Sequence, residues 1–354
     1  MLARAPPGGT AHVTDGRGCL VSGVKVNSVI GKVRVMRVFL AGGTGAVGRR
    51  LVPQLVARGH QVTATTTSAA RLSLLTELGA EAVVMDGLDG ASVGEAVAAA
   101  RPDAIVHQMT ALSAAHAGTP DLKHPDRFFA TTNRLRTEGT DHLLAAAEAA
   151  GVAHVVAQSA AIWIGAGRAG AGGTGRGAGR WVTEEDPLDP AALPNGRAGA
   201  EAIRHLENAV LGAGGAVLRY GPLYGPGATD DQVELIRKRK FPLVEGGTGS
   251  TSWVHLDDAA SATVLAVELK ARGLFNIVDD EPAPVREWLP YLAACAGAKR
   301  PMRVPVWLAR LLAGDMAVSL MTESRGFSNA KARRDLGWQL RYPSWRQGFR
   351  DELA

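Results

Sequence analysis

Residues 36–56 read MRVFLAGGTGAVGRRLVPQLV, and three patterns follow one another along them. The apolar run at 36–41 predicts a short buried strand, and the apolar residues at 51, 52, 55 and 56 predict one face of a helix. Between them lies a turn with glycine at 42, 45 and 48, a spacing that brings backbone amides to a phosphate and lets helix and strand pack closely. The order strand, glycine turn, helix favours a dinucleotide site over an ordinary tight turn. The residues predicted to line that site are Gly42, Gly43, Thr44, Gly45, Ala46, Val47 and Gly48.

The next predicted strand, residues 61–66, bears on which dinucleotide is bound. It ends without the acidic residue that would hydrogen-bond the ribose 2′-hydroxyl of NAD. The hydroxyl of Thr66 and the cation of Arg71 are instead suited to a 2′-phosphate. We therefore predict NADP(H), with NAD as the alternative. The other interpretation of Arg71 is a solvated helix residue.

Composition sets the class of protein. The chain has 354 residues, of which 46% are hydrophobic and 21% charged, which excludes wholesale disorder, collagen-like repeats and a disulfide-stapled small protein. The only cysteines, Cys19 and Cys295, are far apart, which predicts a reducing compartment, the cytoplasm, and no metal site. No apolar run of about 18 residues occurs, so no membrane segment is predicted.

The net charge of +5 is concentrated at the N-terminus. Residues 1–35 carry five bases and one acid, which leaves 34 bases against 33 acids in residues 36–354. We interpret residues 1–35 as a flexible N-terminal extension. A start assigned too far upstream and a transit peptide are the alternatives.

Further segments follow the glycine turn in a fixed order. They are VVMD at 83–86, RPDAIVHQ at 101–108, TNRLRTEGT at 132–140, LRYGPLYGPG at 218–227, WVHLDD at 253–258 and SNAKARRDLGW at 328–338. With the turn, they resemble the extended short-chain dehydrogenase/reductase superfamily, the NAD-dependent epimerase/dehydratase group, over residues 36–350. The resemblance implies an α/β fold with a Rossmann-type doubly wound parallel sheet and a smaller, mostly helical C-terminal substrate lobe.

The resemblance also implies a domain organisation. Residues 36–221 and 251–278 are expected to form the NAD(P)-binding domain, and 222–250 with 279–354 the substrate lobe. A glycine-rich segment, 165–180, is interpreted as a mobile loop that serves either as a lid or as a surface insertion. Relatives often form homodimers through two helices, here about 137–150 and 201–211. Four tryptophans are predicted to pack the lobe: Trp288, Trp307, Trp338 and Trp345.

The catalytic signature of the family is missing. Relatives that transfer hydride use a Tyr and, four residues later, a Lys on one helix face, where the ammonium lowers the pKa of the phenol. None of the four tyrosines of this chain has Lys at the +4 position. Counting back from Arg219 by the family spacing places Glu201 at the usual Glu, Arg197 at the Lys and Leu193 at the Tyr. The family's Ser or Thr after the fifth strand falls on Ala160.

Other polar residues near the predicted strand ends are therefore the catalytic candidates: Ser159, Tyr220, Tyr224, His107 and Gln158. Ser159 is expected to orient a substrate oxygen, and a tyrosine to donate a proton. For Tyr224 a structural role in the turn is equally open, and for His107 the role of a satisfied core imidazole is favoured over catalysis. The resemblance places further residues at the cofactor: Asp86 beside the adenine, Gln108 and Met109 after the fourth strand, and Arg197 at the ribose hydroxyls.

Two classes of function remain. The first is an atypical NADP(H)-binding enzyme of this family, a reductase, epimerase or cofactor-retaining isomerase or cyclase, that acts on a small metabolite of secondary metabolism. The second is a non-catalytic dinucleotide sensor that signals through a partner. The basic run 237–240 is either a solvated helix end or, as in relatives, close to a substrate phosphate or carboxylate. It lacks the interleaved aromatic residues of a nucleic-acid groove, so no nucleic-acid partner is predicted.

Overall fold

The computed structural model describes residues 34–112, 121–161, 181–186 and 196–353. Its strands are β1 (Arg37–Ala41), β2 (Gln61–Thr66), β3 (Glu81–Val84), β4 (Ala104–His107), β5 (Val155–Ala160), β6 (Ala216–Tyr220), β7 (Leu223–Tyr224), β8 (Leu243–Val244), β9 (Ser250–Thr251), β10 (Val254–His255), β11 (Gly273–Ile277), β12 (Ala283–Pro284) and β13 (Arg303–Val304). Its α-helices are α1 (Gly48–Ala57), α2 (Leu72–Glu77), α3 (Gly90–Ala100), α4 (Pro125–Phe128), α5 (Ala130–Arg136), α6 (Glu138–Ala149), α7 (Arg197–Gly212), α8 (Asp230–Arg237), α9 (Leu256–Glu268), α10 (Val285–Cys295), α11 (Val306–Thr322), α12 (Ala330–Asp335) and α13 (Trp345–Leu353). A 3-10 turn, Ala69–Arg71, precedes α2.

Seven strands form one parallel sheet in the order β11-β6-β5-β4-β1-β2-β3. The chain winds outward from β1 in one direction through β2 and β3, and in the other direction through β4, β5, β6 and β11. This confirms the predicted Rossmann-type doubly wound sheet. In such sheets, ligands bind at the carboxyl ends of the strands where the winding reverses, here between β1 and β4.

Strand register explains which residues meet at that edge. Ala41 pairs with His107, so the residues that follow them, Gly42 and Gln108, emerge side by side. Alternate residues of β1 face opposite layers of helices: Val38 and Leu40 join one apolar core, and Phe39 and Ala41 the other. Helices therefore cover both faces of the sheet, and the carboxyl ends of its strands are the place where a ligand is expected.

The C-terminal region is mostly helical and has an apolar core of its own. Trp288 of α10 and Trp345 of α13 pack there with Tyr224 and Phe349. Trp338 is also buried, but it joins the core beneath the sheet. Trp307 differs from its prediction, because 67% of this residue on α11 is exposed. The sequence shows that Trp307 belongs to an apolar helix, but it does not show which face of that helix is exposed.

Some predictions lie outside the described residues. These concern residues 1–33 of the N-terminal extension, the whole of the glycine-rich segment 165–180, and Leu193. By its contacts, Arg34–Ala354 forms one compact unit, so the division into a sheet domain and a lobe stays a prediction. None of the described helices is long and apolar enough to cross a membrane. The described ranges also contain no group of three His, Cys, Asp or Glu residues placed to hold a metal ion.

Candidate active site

The glycine turn between β1 and α1 follows a path that excludes side chains. Gly42 has φ of +95°, and a Cβ built on it would stand 2.8 Å from the carbonyl group of Gln108. A Cβ on Gly48 would come within 2.5 Å of the carbonyl oxygens of Gly42 and Gly43. The turn therefore packs directly against the end of β4 and against the first residue of α1.

Backbone N–H groups at the start of α1 are left free by this path. Gly43 donates to the carbonyl of Thr65 at 2.9 Å. Among the described residues, however, the N–H groups of Ala46, Val47 and Gly48 have no acceptor, and α1 has neither a side-chain cap nor an acid in its first turn. Free amides and the helix dipole stabilise an anion, so the turn fits the pyrophosphate of a dinucleotide.

Two hydroxyls at the end of β2 hold the turn in place. Thr65 Oγ1 accepts from the N–H of Gly42 at 3.1 Å, and Thr66 Oγ1 lies 3.4 Å from Thr44 Oγ1. Thr65 was not predicted as a support, because a buried threonine in a strand carries no such signal. Arg71 ends the 3-10 turn and is exposed. The predicted 2′-phosphate contact therefore involves a cation that reaches solvent.

The remaining predicted cofactor residues follow β3 and β4. Asp86 is exposed, and its Oδ1 accepts from the N–H of Leu88 at 2.9 Å. Met109 is buried against Gly87, where a Cβ would meet its sulfur. Gln108 is buried beside the turn, and its Oε1 has no partner among the described residues.

His107, at the end of β4, is a neutral core imidazole in this structure. Its Nδ1 accepts from the N–H of Met109 at 3.2 Å, and its Nε2 lies 3.1 Å from Thr140 Oγ1. Burial lowers the pKa of His107 to about 4. These contacts favour the core interpretation of His107 over a catalytic one.

This burial predicts a pH effect on stability. Between about pH 6.5 and about pH 4, an unfolded histidine binds a proton that folded His107 does not, so the free energy of unfolding should fall as the pH falls. A pKa difference of that size corresponds to about 3 kcal/mol. His107→Gln should lose less stability over this range, as measured by urea unfolding near neutral pH and in mild acid. Equal losses in both proteins would contradict the prediction.

Tyr220 is enclosed at the end of β6. Its hydroxyl accepts from Gln108 Nε2 at 3.1 Å and donates to Thr263 Oγ1, which in turn donates to the carbonyl of Ala259. Burial raises the pKa of Tyr220 to about 12. The phenol therefore stays protonated at neutral pH, and its proton is engaged inside the core.

Ser159 belongs to a buried ionic network. Its hydroxyl donates to Glu207 Oε1 at 2.7 Å, and the same carboxylate accepts from Arg219 Nε and Nη2 at 2.7 and 2.6 Å. All three residues are buried. Gln158, the neighbour of Ser159, is half-buried at the end of β5. The predicted contact of Ser159 with a substrate stays a prediction, whereas its bond to Glu207 is present in the structure.

Tyr224 is packed between aromatic rings of the C-terminal region. Its ring centroid lies 5.1 Å from those of His255 and Phe349 and 6.2 Å from that of Trp253. Burial raises the pKa of Tyr224, and its hydroxyl has no hydrogen-bond partner among the described residues. Of its two open interpretations, these contacts favour the structural one.

Helix α7 turns one face toward the core. Its buried residues include Gly199, Ile203 and Glu207, which are four apart and share that face. Arg197 lies off this face: 72% of its side chain is exposed, and its Nε donates to Glu201 at 2.8 Å. The glutamate of α7 that pairs with Arg219 in the core is Glu207. The predicted contact of Arg197 with the cofactor ribose stays a prediction.

The end of β5 is apolar where the family's hydride enzymes carry polar groups. Ala160 packs against a cluster that contains Ile203 of α7 and Met316 of α11. Leu122, Phe129 and Leu320 pack against the same cluster. Neither a hydroxyl at position 160 nor an amine on the inward face of α7 is available.

A cavity of about 590 Å³ opens beside this end of the sheet. Ala161, Pro222 and Leu223 line it on the sheet side, and the larger part of its wall is apolar or aromatic. None of the five predicted catalytic residues is among the described residues that line it. The polar groups of His107, Ser159 and Tyr220 are thus engaged in the core, and the cavity has a largely apolar wall.

A glycine turn with free backbone amides at the reversal point of a doubly wound sheet, next to a largely apolar cavity, is typical of a Rossmann-type dinucleotide-binding protein. A comparison with family models gives the narrower class. Residues 38–277 match the NAD dependent epimerase/dehydratase family, and the chain belongs to this family. It is accordingly a member of a nicotinamide-dinucleotide-dependent enzyme family.

Individual relatives extend the comparison. The chain is 44% identical over 322 residues to the 3-diazoavenalumate denitrifying reductase of a Streptomyces species, covering 89% of this chain and 99% of that protein. It is 28% identical to a 4-hydroxy-2-methyl-3-oxo-4-farnesyl-3,4-dihydroquinoline-1-oxide ketoreductase of Stigmatella aurantiaca, over 86% of this chain and 92% of that protein. The crystal structure of human epimerase family protein SDR39U1 (isoform2) with NADPH superimposes with a TM-score of 0.66 at 19% identity, covering 90% of this chain and 99% of that one.

Proposed function

We propose that this protein is an NADP(H)-dependent reductase that replaces the diazo group of an aromatic carboxylic acid with hydrogen and releases dinitrogen. The observation that carries the proposal is the apolar surrounding of Ala160, the last residue of β5, which packs against the cluster of Ile203 and Met316 with no acid or base among them. The relative that is 44% identical, a denitrifying reductase of a diazo acid by name, supports the same reaction.

Release of dinitrogen explains why no acid is needed at this position. The glycine turn would hold the pyrophosphate of NADPH, and the bound cofactor would supply a hydride, so that a diazonium ion and NADPH would give the hydrogen-substituted product, dinitrogen and NADP⁺. The new carbon–hydrogen bond takes the electron pair of the hydride, and the electron pair of the broken carbon–nitrogen bond leaves with dinitrogen. Reduction of a carbonyl would instead leave an alkoxide, which requires a proton donor.

The residues of the chain have three tasks in this reaction. The free amides of Ala46, Val47 and Gly48 hold the pyrophosphate. The apolar cavity wall excludes water, which would otherwise attack the diazonium carbon and leave a hydroxyl there. The aromatic side chains of Trp253 and Trp288 form part of the cavity wall, which suits an aromatic ligand ring.

NADP(H) is proposed in preference to NAD. No acid follows β2, and Arg71 is exposed near the position of a 2′-phosphate. Dissociation constants for NADPH and NADH test this preference, and tighter binding of NADH would overturn it.

The activity is tested with 3-diazoavenalumate carrying heavy nitrogen in its diazo group and with NADPH deuterated at the transferable position. We expect one labelled dinitrogen for each NADPH oxidised, and one deuterium on the carbon that carried the diazo group. NADPH oxidation without labelled dinitrogen would contradict the proposal. A complete lack of turnover, together with cofactor-dependent binding of a protein partner, would favour the sensor instead.

A further inference from the structure

Three aromatic rings form a row along the cavity. Trp253 and Trp288 meet edge to face with centroids 5.0 Å apart, and Phe241 lies 6.5 Å from Trp288. The Trp253 end of the row adjoins the sheet, because Val254 donates its N–H to the carbonyl of Pro222. The row therefore leads from the sheet edge, where the hydride is delivered, to the far wall at Phe241.

Lys240 lies at the far end of this row. It precedes Phe241, is exposed and lines the cavity, and its ammonium has no partner among the described residues. Lys240 is the last base of the run 237–240, and its ammonium is a cation with three hydrogen-bond donors.

The other charged residues of the cavity wall are already engaged. Lys123 Nζ donates to the carbonyl of Leu311 at 3.1 Å. Asp121 pairs with His124 and Arg127 at 3.0 and 3.2 Å. Arg325 also has a partner. Lys240 is thus the cation of the described cavity wall whose ammonium makes no bond to another described residue, which leaves all three of its donors for an anionic ligand.

We propose that Lys240 binds the carboxylate of an elongated aromatic acid whose ring lies against Trp253 at the sheet edge. Because Trp288 lies between Trp253 and Phe241 in this row and Lys240 adjoins Phe241, an acid carried on a chain fits the row better than an acid attached directly to the ring. This inference rests on the proposed function only where it takes the bound aromatic ring to carry a diazo group. It assigns specificity for the acid to Lys240.

The test uses binding rather than turnover. The probe is para-hydroxycinnamate, compared with its methyl ester, and the readout is calorimetry with the full chain saturated with NADP⁺. Lys240→Met keeps the apolar stem and removes the charge, so it should weaken binding of the acid about tenfold to a hundredfold and leave the ester unchanged. Lys240→Arg should retain most of the affinity for the acid.

Lys238→Met is the matched control. Lys238 lies two residues away in the same basic run, pairs with Glu234 at 2.9 Å and does not line the cavity. This variant should bind both probes like the unaltered protein. Unchanged acid affinity in Lys240→Met, equal losses in the two variants, or no binding of the acid to the unaltered protein would each overturn the inference.

The outcome is separable from the proposed function, because the probe has no diazo group. Charge-dependent binding without turnover of a diazo acid leaves the Lys240 assignment standing and removes the proposed reaction. Turnover of the diazo acid, together with an unchanged affinity of Lys240→Met for the acid probe, supports the proposed reaction and removes the Lys240 assignment.

Discussion

Gly48→Ala is expected to bind NADPH about a hundredfold more weakly than the unaltered protein. The new Cβ would lie 2.5 Å from two backbone carbonyl oxygens, those of Gly42 and Gly43, so the turn and the start of α1 must move apart. This displacement moves the free amides of Ala46 and Val47 away from the pyrophosphate. Fluorescence titration with NADPH measures the loss, and urea unfolding verifies that the variant is folded.

Gly94→Ala provides the control for this substitution. Gly94 lies inside α3, and a Cβ built on it has no atom within 4 Å. Alanine in a helix interior is more stable than glycine by up to about 1 kcal/mol, so this variant should bind NADPH normally and resist urea slightly better. NADPH binding by a folded Gly48→Ala variant within a few-fold of normal would show that the turn does not hold the cofactor.

Local patterns in the sequence were sufficient to predict the first elements of the fold. The apolar run before Gly42, the glycine spacing and the amphipathic helix after it lie within about twenty residues, and each feature has a local physical cause. The doubly wound sheet and the C-terminal lobe were instead implied by the family resemblance of several ordered segments. The order of the strands depends on contacts between distant parts of the chain, which no local pattern contains.

The site was harder to predict, because its contacts join distant residues. Ser159 and Glu207 are 48 positions apart, and which face of α7 turns inward depends on the path of the chain before Arg197. Counting along the sequence therefore selected Glu201, which the structure places at the surface. The prediction that Trp307 packs the lobe was wrong for a related reason, since composition does not show which face of a helix is buried.

Glu207→Gln is expected to lower the free energy of unfolding by about 3–5 kcal/mol, because it removes the carboxylate from a buried ion pair. Glu207 accepts two hydrogen bonds from Arg219 and one from Ser159. Arg136 is also fully buried nearby, where burial lowers its pKa to about 10 and Glu207 acts in the opposite direction. Loss of the carboxylate leaves two buried guanidinium groups without a compensating charge.

Two comparison variants separate the charge from the hydrogen bond. Ser159→Ala removes only one hydrogen bond to a charged group and should cost about 1.5–3 kcal/mol. Glu234→Gln removes the carboxylate of an exposed pair with Lys238, and we expect no measurable change in its urea midpoint. A Glu207→Gln variant as stable as Glu234→Gln would contradict the buried network.

The same series decides the role of Ser159. If its hydroxyl only supports Glu207, Ser159→Ala should lose stability while its turnover per folded molecule stays within a few-fold of normal. If it also contacts the substrate, turnover should fall by about a hundredfold or more beyond the stability loss. Because the bond from Ser159 to Glu207 measures 2.7 Å and the residue does not line the cavity, we expect the first result. The chemistry of this enzyme would then depend on cofactor geometry and an apolar wall, with no side chain exchanging a proton with the substrate at β5.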